Sequence, residues 1–436
     1  MIIQKKGPLT GSMIVPGDKS ISHRSIMLGA ISEGITEVDN FLMGDDCIST
    51  ISCFRQLGIP IDFDSGTHKV KIYGKGLDGL TSSNDVLDVG NSGTTIRLLS
   101  GILCGQRFSS TITGDASIKK RPMGRILTPL GQMDADIKSH NNDFCAPLLI
   151  NSSNLSLSTI QSKNPTYRLK GIHYQSLVAS AQVKSCVLLA GLYADEITSV
   201  TEPALSRNHT ELMLTEFGAS VTVDGNTATV LPRPKLQGRK LNIPGDISSA
   251  AYFIAAALIV PNSELLIKNV GINPTRDGII KVCRMMGADI CLENIRKDGG
   301  EPMADILVRH SNLKGIEING DIIPTLIDEI PIIAVLSCVA SGKTIIKNAE
   351  ELKVKESNRI ELIVKNLTNM GADITATEDG MIINGGKPLH GAVIDSKMDH
   401  RIAMAFTIAG LAADGYTEIL DPECINISYP DFFAEI

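Results

Sequence analysis

One pattern recurs six times along the chain: a polar start, an apolar helix rich in small residues, a Gly or Asp break, then a β-branched strand. The copies begin near Ser20 (SISHRSIMLGAI, then ITEVDN), Asn91 (NSGTTIRLLSGIL, then SSTITGD), Ser180 (SAQVKSCVLLAGL, then ITSVTEP), Asp246 (DISSAAYFIAAAL, then ELLIKNV), Asp328 (DEIPIIAVLSCVA, then KTIIKNA) and Asp399 (DHRIAMAFTIAGL, then YTEILDP). Their spacing of roughly 70 to 90 residues is that of a multi-element unit and not of a short solenoid repeat. Helices that are apolar nearly all round and rich in Ala, Gly and Ser are expected to be buried and closely packed.

A second helix lies between these and ends each time in a similar stop before another strand: FRQLGIPI from Phe54, LGQMDADI from Leu130, LTEFGASV from Leu214, RMMGADI from Arg284 and TNMGADI from Thr368. Gly58, Gly218, Gly287 and Gly371 are placed to take the left-handed conformation that ends a helix, with Asp134 standing in once. The sixth copy is a remnant, 424–433, whose missing strands are expected from residues 1–15, tying the two termini into one domain. A chain of 436 residues, 43% hydrophobic, exceeds one ordinary core. The architecture predicted is α/β with three repeats in each of two domains. The polar stretch 232–240 reads as one crossing and Pro16-Gly17 as the other, so that 1–17 joins 239–436 and 18–238 forms the second domain.

With 41 basic and 48 acidic residues, a formal charge of −7 and no Trp, nucleic acid is disfavoured as a partner. The nine cysteines form no CxxC pair and no repeated spacing with His, so no metal site is expected and the thiols read as reduced core residues. The N-terminus lacks a signal-like apolar run, and the apolar stretches 250–261 and 330–340 are too short to span a membrane. A soluble cytoplasmic protein is expected.

The cations are concentrated at helix starts. The second helices carry Arg121, Arg207, Arg276 and Arg359 with Lys355 in or near their first turns, and the first helices add Lys19, Arg24, Arg97 and Arg401. A cation in a first turn is disfavoured by the helix dipole by roughly 0.3–1 kcal/mol, so the accumulation suggests anionic ligands. The stretch from Pro16 to Arg24 and the run Gly90-Asn91-Ser92-Gly93-Thr94-Thr95 both read as anion sites at helix starts, although each alone is also an ordinary capped turn. Gly342-Lys343-Thr344 lacks the first glycine of a P-loop and reads as a turn into a strand. His209 with Glu211 reads as a capping or surface pair, Asp45-Asp46 as a helix N-terminus, Asp399 as an N-cap, and the role of Arg276 is open. Asp328 and Glu356, set among cations, are candidates for proton transfer.

These residues lie in motifs that resemble those of the 5-enolpyruvylshikimate-3-phosphate synthase family over essentially the whole length: PGDKSISHR (16–24), GNSGTTIRLLSG (90–101), GDASIKKRPM (114–123), SAQVKS (180–185), RNHTE (207–211), IDEIP (327–331), KVKESNR (353–359) and MDHRIAMAF (398–406). GDKS, SAQVK, RNHTE and Asn273-Pro-Thr-Arg276 resemble the class II branch, associated with tolerance of the inhibitor glyphosate. The resemblance implies two similar domains, each an inside-out α/β barrel of three βαβαββ-like repeats with a hinge between them, closing on the substrates. It implies transfer of the enolpyruvyl group of phosphoenolpyruvate to the 5-hydroxyl of shikimate 3-phosphate, with release of phosphate through a tetrahedral intermediate. No cofactor or metal is implied, and a monomer is expected.

Carried over by motif, Ser20 and Arg24 hold the shikimate carboxylate, and Ser180, Ala181 through its backbone and Arg207 hold the shikimate phosphate. Gln182 lies beside both substrates. Lys19, Arg121, Arg359 and Arg401 grip phosphoenolpyruvate, with Gly93-Thr94 against it, Arg97 in support and Lys19 also beside shikimate 3-phosphate. Asp328 takes the proton of the attacking hydroxyl, Lys355 bonds nearby hydroxyls, and Glu356 with Lys19 handles the methylene and methyl protons. Two departures stand out. Ile427 replaces a class I lysine, and Gly93 stands where some tolerant members carry Ala, which leaves room for glyphosate. The nearest alternative is the transferase acting on UDP-N-acetylglucosamine, but 119–136 lacks its reactive cysteine and Lys19-Ser20 stands where it has Lys-Asn. A non-catalytic anion-binding protein on the same fold would be expected to lose catalytic groups, whereas Lys19, Asp328 and Glu356 are present.

Overall fold

The computed structural model describes residues 1–151 and 169–436. The chain divides into two compact units, Met1–Asp18 with Pro244–Ile436, and Lys19–Ile243. The division expected at 238/239 thus falls five residues later. The reason is that Lys240–Asn242 pairs in parallel with Glu37–Asp39 and carries the polar stretch before it into the unit Lys19–Ile243. Arg233 in that stretch is ion-paired with Asp78. The other division follows Asp18, not Gly17. The Asp18 N–H donates to the Pro244 carbonyl and the Asp246 N–H to that of Pro16, each at 2.8 Å.

Among the described residues, Lys19–Ile243 contains three four-stranded sheets of one design. Their orders are Lys240–Asn242, Glu33–Asp39, Lys69–Lys75, Ile61–Asp64; Leu87–Asp88, Ser110–Thr113, Leu148–Ile150, Ile137–Ser139; and His173–Gln175, Thr198–Thr201, Thr227–Val230, Val221–Asp224. In each, the first pair is parallel and the rest antiparallel. A parallel pair needs a crossover, and in the second sheet the buried helix Gly93–Cys104 supplies it.

The other unit repeats the design in Thr10–Ile14, Glu264–Gly271, Glu301–Arg309, Asp289–Asp298, and in Glu317–Ile318, Lys343–Ile346, Met381–Asn384, Asp373–Ala376. Its third sheet has three strands, Val393–Ile394, Tyr416–Ile419 and Ile2–Gln4. Residues 1–15 therefore serve two sheets: Ile2–Gln4 completes the sixth copy, while Thr10–Ile14 pairs with the fourth. The sixth copy thus takes its missing strand from residues 1–15, as expected, and the same stretch also lends a strand to the fourth.

The apolar helices form the interior of each unit. Ile247–Ile259, Ile330–Val339 and His400–Ala412 pack on one another, and Gly93–Cys104 packs on both Lys19–Ala30 and Ala181–Gly191. Polar residues on these helices are satisfied locally, as Ser100 and Thr407 donate to the carbonyls of Ile96 and Ala403. Four of the helices start on a side-chain cap: Ser92, Ser180, Asp246 and Asp399 each accept a backbone N–H two or three residues on.

The second helices end alike. Gly58, Gly218, Gly287, Gly371 and Asp134 all have φ between 59° and 100°, and the next N–H reaches back five residues: Ile59 to Phe54, Ala135 to Leu130, Ala219 to Leu214, Ala288 to Cys283, Ala372 to Leu367. That is the Schellman closure. Gly342, at φ 91°, turns into Lys343–Ile346. Among the described residues no helix is long and apolar enough to cross a membrane.

Candidate active site

In Lys19–Ile243, Lys19 opens the helix Lys19–Ala30 and its Nζ lies 2.5 Å from Asp46 Oδ2. Asp46, read from sequence as part of a helix N-terminus, is thus also the buried partner of a site lysine. Arg24, one turn on, donates to two hydroxyls and a carbonyl. Nε donates to Thr210 Oγ1 at 2.7 Å, Nη2 to Ser185 Oγ at 2.8 Å and Nη1 to the Ser20 carbonyl at 2.9 Å. His23 between them is fully buried, its Nδ1 2.7 Å from Thr50 Oγ1. Thr50 in turn meets Thr95, and Thr95 meets the cap Ser92. Burial, then the charges of Lys19 and Arg24, hold this imidazole well below its usual pKa.

Arg97 donates to Gln182 Oε1 at 2.8 Å and to the Gly93 carbonyl at 3.2 Å, and Gln182 Nε2 donates to Thr94 Oγ1 at 3.2 Å. Arg121 donates to Asn91 Oδ1 and Ser117 Oγ at 2.8 and 3.1 Å. A Cβ on Gly93 would stand 2.8 Å from an Arg97 nitrogen and 3.0 Å from one of Arg121, so the bare glycine lets both guanidinium groups approach the helix start. Ser180 caps the helix that begins with Ala181 and Gln182.

The position of several cations differs from the first-turn placement read from sequence. Arg121, Arg207 and Arg276 precede their helices, which begin at Gly124, His209 and Gly278, so of the four arginines marked on the second helices Arg359 alone lies in a first turn. His209 and Glu211 are also not a surface or capping pair. Both are buried, and Glu211 Oε1 is 2.8 Å from the buried Lys184 Nζ.

In the other unit, Asp328 stands two residues before the helix Ile330–Val339. Its carboxylate is 3.4 Å from Arg359 Nη1, 3.7 Å from Arg401 Nη2 and 3.8 Å from Lys355 Nζ. Arg359, fully buried, also meets Glu356 Oε2 at 2.5 Å and Asp399 Oδ2 at 2.9 Å. Asp399 caps the helix His400–Ala412 as expected, and beyond that it is the buried counter-ion of Arg359. Burial pushes its carboxyl pKa up, but the charge and hydrogen bond of Arg359 together with His400 make the net shift downward. Arg276, left open by the sequence, is buried against Asp18, Asp246, Ser248 and Glu329, at 3.5, 3.2, 2.6 and 3.9 Å. Ile427, at the end of the short helical segment Pro422–Ile427, is half-buried.

The family model for EPSP synthase (3-phosphoshikimate 1-carboxyvinyltransferase) matches residues 3–436. The chain belongs to the EPSP synthase family. It is 57% identical over 431 residues to a 3-phosphoshikimate 1-carboxyvinyltransferase of Thermoanaerobacter sp. strain X514, covering 99% of this chain and 98% of that one. To that of Bacillus cytotoxicus it is 52% identical over 434 residues, covering 100% and 99%. A solved EPSP synthase from Acinetobacter baumannii superposes with a TM-score of 0.87 at 44% identity, covering 100% of this chain and 96% of that one. Like its relatives the chain is α/β, and the two units with helices inside and sheets outside are the inside-out fold of the EPSP synthase family.

Sequence reasoning missed the partners that hold the site's cations: Asp46 for Lys19, Asp399 for Arg359, and Glu202 with Glu211 for Lys184. One signal was available. Lys184 is a lone cation in an otherwise apolar helix, and a buried ammonium requires a buried carboxylate.

Proposed function

We propose that the protein transfers the enolpyruvyl group of phosphoenolpyruvate to the 5-hydroxyl of shikimate 3-phosphate and releases phosphate. The observation that carries this reading is the constellation at Asp328: one carboxylate within 3.8 Å of Lys355, Arg359 and Arg401, with Glu356 on the same Arg359. Cations close enough to bind phosphate and carboxylate groups surround a group able to accept a proton.

In this reading Ser20 and Arg24 hold the shikimate carboxylate, Ser180, the Ala181 N–H and Arg207 its phosphate, and Gln182 and Lys19 its ring side. Arg24 suits the task because two hydroxyls and a carbonyl fix the orientation of its guanidinium. Lys19, Gly93, Thr94, Arg121, Gln182, Arg359 and Arg401 hold phosphoenolpyruvate. Asp328 takes the proton from the 5-hydroxyl as its oxygen bonds to C2 of phosphoenolpyruvate, and Lys355 orients the hydroxyls. Glu356, with Lys19, delivers a proton to C3, giving the tetrahedral adduct. Loss of a proton from the new methyl group to the same pair, with departure of phosphate from C2, restores the double bond.

The protein is further proposed to act as a cytoplasmic monomer and to admit glyphosate as an inhibitor beside Gly93, which an inhibition curve showing no competition with phosphoenolpyruvate would contradict. Phosphate release from phosphoenolpyruvate, measured with shikimate 3-phosphate or UDP-N-acetylglucosamine as acceptor, tests the main reading. Turnover with the former alone is expected; turnover only with the latter would overturn it.

A further inference from the structure

Lys184 is 1% exposed inside the helix Ala181–Gly191, and its Nζ lies 2.8 Å from Glu202 Oε2 and 2.8 Å from Glu211 Oε1. Of the two carboxylates, only Glu202 is bonded onward to the segments that carry site residues. Its Oε1 accepts the backbone N–H of Ser180 at 2.8 Å. Its Oε2 accepts the Ser206 hydroxyl at 2.8 Å and the Ser206 N–H at 3.3 Å. Ser180 caps the helix that starts at Ala181, and Arg207 follows Ser206 directly. One buried carboxylate therefore ties the cap of a helix to the residue preceding an arginine 27 positions away in sequence.

We infer that Glu202 is a positioning residue for the phosphate of shikimate 3-phosphate, setting Ser180 and the Ala181 N–H relative to Arg207. The inference rests on the reading of those three as the phosphate ligands. The chemistry favours a carboxylate here. Only an ionised carboxylate accepts at both oxygens, and hydrogen bonds to a charged acceptor are the stronger ones. A carboxylate near an anion site would also repel the ligand, and Lys184 at 2.8 Å offsets that charge. Glutamine in the same place would turn one of the two ends into a donor facing another donor. Either the Ser180 cap or the Ser206 step would then come loose.

The decisive comparison is between Glu202→Gln and Glu211→Gln. Each removes one of the two ion pairs of Lys184, so a merely structural role would make them alike. Only Glu202 touches Ser180 and Ser206. Full-length proteins are titrated calorimetrically with shikimate 3-phosphate and with shikimate, which lacks the phosphate. Glu202→Gln is expected to lose about tenfold or more in affinity for shikimate 3-phosphate, and to change by less than about threefold for shikimate. Glu211→Gln is expected to keep the ratio of the two affinities within about threefold of the unsubstituted protein. Should Glu202→Gln fail to fold, Ser206→Ala, which removes a single donor, is expected to lower the same ratio by about threefold. An unchanged ratio in Glu202→Gln (in Ser206→Ala, if that is the variant measured), or an equal loss in Glu211→Gln, overturns the inference. If the unsubstituted protein does not prefer shikimate 3-phosphate to shikimate, the phosphate reading of Ser180 and Arg207 fails first, and the inference with it.

Discussion

The two units hold their cations in different ways. In Lys19–Ile243, Arg24, Arg97 and Arg121 donate to hydroxyl, amide and carbonyl oxygens. In the other unit, Arg359 is shared among Asp328, Glu356 and Asp399, and Arg401 lies against Asp328 and Glu329. A neutral acceptor fixes a guanidinium and leaves its charge for a ligand. A carboxylate fixes it and cancels the charge locally, but supplies a group that can carry a proton. The first arrangement suits binding of anions and the second suits proton transfer next to bound anions. Lys19 with Asp46, like Lys184 with Glu202 and Glu211, resembles the second arrangement, and for Lys19 this is in keeping with the double role proposed for it.

The distinction can be broken by stability first. Asp399→Asn takes from buried Arg359 the one fully buried carboxylate of its three, and a loss of about 3 kcal/mol is expected in chemical denaturation. Ser117→Ala, which removes one neutral partner of Arg121, is expected to cost about 1 kcal/mol or less. Equal losses would erase the contrast. In turnover, Glu356→Gln and Asp328→Asn are expected to be at least roughly a hundredfold slower, and near-normal rates in both would remove their roles. Thr210→Val, which takes the acceptor from Arg24 Nε, is expected to weaken shikimate 3-phosphate binding about threefold to tenfold while kcat stays within about twofold.

The smallest effect is in pH dependence, and it falls in a different window for each unit. The Asp399 pKa is lowered on folding, so its contribution is complete above the unfolded value near ~3.9 and is lost as pH falls towards and through the folded value. The His23 pKa is also lowered. The unfolded chain binds that proton below ~6.5 while the folded imidazole stays neutral, so stability is complete above that pH and declines below it. His23→Gln is therefore expected to flatten the stability profile between about pH 5 and 7. An unchanged profile would place the titrating group elsewhere.

Much of the fold was legible because it is local and repeated. The five helix stops and the capped starts at Ser92, Ser180, Asp246 and Asp399 are written within a few residues of where they act. The three-residue strand Lys240–Asn242 was not legible, since its partner Glu37–Asp39 lies some two hundred residues away and short strands carry little periodicity. Much shorter separations, 18 residues for Lys184 and Glu202 and 40 for Arg359 and Asp399, still hid the ion partners. Lys184 and Glu202, or Arg359 and Asp399, meet only after the repeats have folded. The first-turn reading of Arg121, Arg207 and Arg276 failed because helix starts are the least certain part of a sequence reading; the residues themselves were the right ones to mark.

The central claim is that the carboxylates around Arg359 serve chemistry while the cations bonded to hydroxyl and amide oxygens serve binding. Its most direct test is an equilibrium titration of shikimate 3-phosphate into Glu356→Gln. An affinity within about threefold of the unsubstituted protein is predicted, in a variant that turns over about a hundredfold more slowly. A large loss of affinity with turnover at saturation preserved would contradict the account.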